Sequence, residues 1–193
     1  MGHLRSGNYD EARRAVDEAL AGFRADGDEY GIALSAMHLA HCDVLEAKDL
    51  DAARDTIVEC RDTFERLGVR AGVGESELVL GLLLRDRDAR AAAQHLLAAL
   101  EEPDAHWYLS TKCWVVQLAA GMGLPSLDAG AIAELVADYY ESAPEPQPRW
   151  VLDDLDVLRS RARDVSSDVM VVNGIDTAID QVRAALAQVA SAI

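Results

Sequence analysis

Gly7-Asn8-Tyr9-Asp10-Glu11-Ala12, Lys48-Asp49-Leu50-Asp51-Ala52-Ala53 and Arg87-Asp88-Ala89-Arg90-Ala91-Ala92 are three versions of one segment, each opening an apolar-periodic run. The first two versions stay in register far beyond the opening. Ala12 matches Ala53, Ala19 matches Cys60, Phe23 matches Phe64, Gly27 matches Gly68 and Gly31 matches Gly72. The third keeps Ala92, Ala99 and Leu100. A period of about 40 residues carrying two helices per unit is the signature of a helical repeat. One such unit cannot bury its apolar face alone, so its neighbours must stack on it.

The helix boundaries follow from local signals. Asn8 is placed to cap a helix over Tyr9 to Ala25, with Asp10 and Glu11 in the first turn where the helix dipole favours acids. Ala12, Ala15, Val16, Ala19 and Phe23 form its expected buried stripe, and Asp26-Gly27-Asp28 ends it. A second helix is expected from Glu29 to Ala47, with Ala33, Ala36, Met37, Ala40 and Val44 on one face. Leu50 to Leu67 follows, stopped by Gly68. Gly72 to Leu84 is apolar nearly all round, which reads as a helix at the centre of the stack. Asp88 to Glu101 pairs with it, and Pro103 breaks the chain.

Asp104 is placed to cap a helix carrying Trp107, Tyr108, Trp114, Val115 and Leu118, closed by Gly121 to Pro125. A further helix begins at Ser126 or Asp128 and reaches Tyr140. The Pro-rich stretch Ser142 to Pro148 reads as a linker. Beyond it, Trp150 to Val165 has helical spacing, Val169 to Val172 is ambiguous, and Asp176 to Ala190 carries the stripe Ile179, Val182, Leu186 and Val189. The expected organisation is helical repeats over 1–141, a linker over 142–149 and a helical cap over 150–193. Because only six residues precede the motif at Gly7, the repeat logic favours a first helix lying upstream in a longer protein.

The motif residues Gly7 to Ala12 with Ala19-Leu20, and Asp49 to Ala53 with Cys60, resemble the second helix of a tetratricopeptide repeat (TPR). Leu80-Gly81 is similar to the Leu-Gly pair of that repeat's first helix, and Leu39-Ala40 is a weaker counterpart. The unit here is longer than the standard repeat and lacks the usual proline after its second helix. In these departures it resembles the degenerate arrays of large LuxR-type and SARP-type regulators of high-GC bacteria. The resemblance covers roughly the first two-thirds of the chain. It implies an all-α fold: a right-handed array of antiparallel helix pairs, or TPR-like α-solenoid, with a C-terminal helical cap.

Composition narrows the function. The 193 residues carry a formal net charge of −16, a surface that repels phosphate backbones and anionic membranes, so neither nucleic acid nor a membrane is an expected partner. The basic residues are almost all Arg, a skew that fits a GC-rich genome. Three cysteines, Cys42, Cys60 and Cys113, without close spacing argue against a disulfide framework and for the cytoplasm. No apolar run approaches a membrane span. No Gly-rich phosphate loop and no nucleophile elbow is present, so no cofactor is expected.

The expectation is a non-catalytic module that binds a protein or peptide, as a sensor or scaffold segment of a cytoplasmic regulator. The sequence also allows a homo-oligomer. In tetratricopeptide arrays the first helices line the concave surface, and the resemblance places Leu34, His38, His41 and Leu45 there, partly buried, with Trp107 and Trp114 as an aromatic wall. The acidity of the chain favours the protonated forms of both histidines, while near-neighbour repulsion opposes both being charged at once. The alternatives are a small-molecule groove using the same residues and, behind it, an enzyme whose site forms between helices. A metal at His38, His41 and Cys42 lacks a known ligand spacing. Asp153, Asp154 and Asp156 read as a solvated face, and Trp107, Tyr108 and Trp114 more readily as core than as a ligand wall.

Overall fold

The computed structural model describes residues 8–101, 108–124, 127 and 175–191, and every regular element among them is an α-helix. Seven are present: α1 Tyr9–Asp26, α2 Glu29–Leu45, α3 Leu50–Leu67, α4 Arg70–Leu84, α5 Ala89–Glu101, α6 Tyr108–Gly121 and α7 Ile175–Ser191. The expected helix ending at Tyr140, the Pro-rich linker, the helix from Trp150, the Val169 to Val172 segment, Trp107 and the Asp153 to Asp156 acids lie outside the described residues.

Glycine ends α1 and α3 in the same way. Gly27 and Gly68 adopt left-handed backbone, with φ of 67° and 71°. The next residue then turns its N–H back to the aromatic one turn earlier. Asp28 donates to the Phe23 carbonyl and Val69 to the Phe64 carbonyl, each at 2.9 Å. These bonds satisfy carbonyls that a helix end otherwise leaves bare. The Asp28 side chain then accepts from Gly31 N and starts α2. Asn8 does not cap α1 as its residue type suggested. Its side-chain amide N–H donates to Glu11 Oε2 at 2.6 Å, and its oxygen makes no capping bond.

The helices pack in chain order, each on the next as far as α6; α2 also touches α4, and α4 also touches α6. α7 lies on α5 and α6. The clusters follow the apolar stripes. Ala33 and Met37 of α2 meet Cys60 and Phe64 of α3 and Val73 of α4. Ala40 of α2 meets Ala53 and Ile57 of α3 and Val79 and Leu80 of α4. Leu78, Leu96, Leu100, Val115, Leu118, Ile179, Val182 and Leu186 belong to a third, larger cluster. Each fully buried aliphatic or aromatic side chain of this kind contributes about 1.5–3 kcal/mol.

α4 is the central helix that its apolar circumference foretold: Val73, Leu78, Val79, Leu80 and Leu83 are all buried. Its glycines let neighbours close in. A Cβ added to Gly81 would sit 2.5 Å from a methyl of Leu96 on α5. The stripe expected on α1 is only half realised. Ala12 and Leu20 are buried, Val16 and Phe23 partly so, and Ala15 and Ala19 are exposed. The cause is the number of neighbours. Among the described helices α1 packs chiefly on α2, so a single side of it is covered.

Candidate functional site

His38 and His41 lie three residues apart on α2, where helical geometry puts them on neighbouring rows of one side. That side faces α4. Glu75 of α4 brings Oε1 to 3.7 Å from His38 Nε2; both side chains keep some exposure, but Nε2 itself is buried. His41 is different. It is 2% exposed, deep enough that burial pushes its pKa down to about 4, with nearby His38 lowering it further and Glu75 opposing. The expectations of partial burial and of a favoured protonated form therefore fail for His41. An acidic net charge acts at long range through water, whereas removal of the ring from water acts directly on its charged form.

The remaining candidates spread along the molecule. Leu34 is partly buried against the cluster containing Met37 and Phe64. Leu45 packs beside Tyr9, Ala12 and Cys42, where α1 crosses α2. It also lines a hollow of about 270 Å³ together with Val44, Leu50, Leu82, Arg85 and Arg87. Trp114 is 6% exposed and sits in the large cluster of α4 to α7, so it fills core rather than forming a wall beside the histidines. Trp107 lies outside the described residues. The structure thus brings His38 and His41 together and adds Glu75 to them, while Leu34, Leu45 and Trp114 belong to three separate clusters.

Sequence reasoning passed over Glu75 and Glu77. Two acids on a helix that is otherwise apolar must find partners, because an unpaired buried carboxylate is costly. Glu75 finds His38. Glu77, 8% exposed, turns to the other side of α4. Its Oε2 lies 2.6 Å from His95 Nδ1 of α5, and Arg61 Nη1 of α3 donates to its Oε1 at 3.4 Å. Three helices are tied through one carboxylate. The signal was legible in principle: Glu77 directly precedes the greasiest stretch of the chain, Leu78 to Leu84.

The two described thiols, Cys42 and Cys60, carry no mark of reactivity. Burial pushes the Cys60 thiol up to about 11 and also raises Cys42. Among the described residues, no three His, Cys, Asp or Glu side chains converge as metal ligands would. Among the same residues, no helix is long and apolar enough to cross a membrane. Comparisons with protein-family models, with curated proteins and with solved structures find no match.

Proposed function

We propose that the chain is a tetratricopeptide-like, right-handed array of helix pairs that binds a protein or peptide without catalysing a reaction. The reading places it as a sensor or scaffold segment of a cytoplasmic bacterial regulator. The observation that carries it is the His38–Glu75 pair. α2 and α4, the first helices of successive units, touch each other and set a partly exposed imidazole beside a partly exposed carboxylate. His38 Nε2 itself is shielded from solvent, so a bound peptide would meet the Glu75 carboxylate, which accepts from backbone N–H groups, and the remaining edge of the imidazole. Chain-order packing and the three-fold sequence repeat support the array.

Glu77 and His95 are occupied with each other and with Arg61. The hollow beside Leu45 and a second of about 270 Å³ lined by Ile32, Ala36, Cys60 and Arg66 are smaller than the roughly 300–1,000 Å³ of ordinary ligand pockets. Selection of a displayed random-peptide library on the full chain tests the reading. Enriched peptides that compete with one another for a single site are expected. A chain that enriches no peptide contradicts it.

A further inference from the structure

The α2–α3 turn and the end of α4 flank the hollow of about 270 Å³ beside Leu45. Its apolar lining is Val44 and Leu45 of α2, Leu50 of α3, and Leu82 and Leu83 of α4. Its polar lining is Arg85, Asp86 and Arg87. The left-handed position that closes α1 and α3 is held by Gly27 and Gly68; at the end of α2 it is held by Ala47, with φ 53°. Ala47 also lines the hollow. A left-handed backbone is costly for a residue with a side chain, and such positions gather at binding sites.

The charges around the hollow have a direction. Arg85 Nη2 reaches Asp86 Oδ2 at 3.5 Å, and a Cβ on Gly121 of α6 would sit 3.9 Å from Arg85 Nη1. Arg87 Nη1 stands 3.7 Å from Asp51 Oδ1, too far for a hydrogen bond. The two acids are turned to water, Asp86 81% and Asp51 96% exposed. The helix ends agree. Carbonyls at the ends of α2 and α4 are engaged by backbone N–H groups: Asp43 O accepts from Lys48, Val44 O from Ala47, and Leu84 O from Arg87 and Asp88. The start of α3, where the dipole is positive, has no capping bond from the Asp49 side chain.

We propose that this hollow binds a small free carboxylic acid, its apolar chain among the leucines and its carboxylate at Arg87 and Arg85. A planar guanidinium matches a carboxylate, and a chain of net charge −16 admits a monoanion at lower cost than a dianion. The volume lies below that of pockets for drug-sized ligands, so the acid is short. The site is independent of the peptide reading, since Leu45 is about 10 Å along α2 from His38.

The test titrates the full chain, with labelled methyl groups, and follows it by NMR. Hexanoate should shift the Leu45, Leu50 and Leu82 methyls with a Kd of about a millimolar, as suits so small a ligand, and bind more weakly in salt. Hexylamine should bind weaker by about tenfold or more, and acetate should not saturate. Arg87→Gln should weaken hexanoate by about tenfold at an unchanged melting temperature, because Arg87 is half exposed. The comparison of ligands on the unaltered chain stands without any variant. Hexylamine or hexanol binding as well as hexanoate, shifts centred elsewhere, no shifts, or undiminished binding to Arg87→Gln overturns the proposal. Tighter binding of hexyl phosphate would assign the site to a dianion and overturn it. A peptide ending in Leu carries the same chemistry, and tighter binding of acetyl-Gly-Gly-Leu than of hexanoate would overturn the assignment to a free acid.

Discussion

The Phe64 ring packs against Gly72, so close that a Cβ on Gly72 would fall 2.5 Å from it. Phe23 stands in the same relation to Gly31. The eight-residue spacing is what the turn requires. The aromatic closes one helix, a left-handed glycine reverses the chain, and the second glycine admits the ring as the next helix begins. Phe64 is fully buried, whereas Phe23 keeps some exposure and has room to move. The two contacts should therefore differ in rigidity. Gly72→Ala is expected to cost about 1–3 kcal/mol through overpacking, despite the better helix propensity of Ala. Gly31→Ala should cost less, because the Phe23 ring can yield. Urea denaturation of both variants measures the difference, and equal losses would show that the Phe64 contact is no tighter.

His41 should make stability depend on pH. Its folded pKa, about 4, lies below the unfolded value near 6.5, so the unfolded chain takes up the proton first as pH falls. The stabilisation is complete above about pH 6.5 and lost progressively toward pH 4, for a total near 3 kcal/mol. His41→Leu lacks this component and retains all the carboxylates. The stability gap between wild type and His41→Leu should change by about that amount between pH 7 and pH 4. Parallel pH curves would show that His41 is not held neutral by burial.

Glu77 should act as a joint of three helices. Glu77→Gln removes the charge that faces Arg61 and His95, at an expected cost of about 1–3 kcal/mol. A double-mutant cycle with His95→Ala should give a coupling of about 0.5–3 kcal/mol. Additive losses would mean that the 2.6 Å approach of His95 to Glu77 contributes nothing of its own.

The thiols give a simple check of packing. In a Cys113→Ser background, Cys42 and Cys60 should resist a thiol-reactive dye at pH 8. At a pKa of about 11, only about one Cys60 in a thousand is thiolate at that pH, and the sulfur is buried besides. Labelling should track global unfolding in denaturant. Fast labelling of the native chain would contradict the burial of both residues.

Much of the fold was legible before the structure. The repeated Phe, Gly and Ala positions placed α1 to α5 and their glycine turns within a few residues, because helical period and left-handed glycine are local properties. The depth of a residue is not local. The tetratricopeptide resemblance puts His41 in the groove with His38, yet α2 is covered on several sides and only the packing of α4 decides which row faces water. Ala19 reads as core because Cys60 and Ala99 are core, but its burial depends on a neighbour the described chain does not supply. Glu75 and Glu77 were passed over because their partners, His38, Arg61 and His95, lie on three other helices. Trp114 followed the commoner behaviour of aromatics at helical spacing and went to the core.

The account turns on whether the face shared by α2 and α4 binds a partner, and His38 is the residue to change. It is partly exposed and meets Glu75 at 3.7 Å, so its removal leaves the core clusters intact. The measurement is the affinity of the full chain and of His38→Ala for one library-selected peptide, with melting temperatures taken on the same samples. The account predicts an unchanged melting temperature and an affinity lower by about tenfold, the scale of one lost hydrogen bond to a charged or strongly polar group. An unchanged affinity at unchanged stability would contradict it and remove His38 and Glu75 from the site.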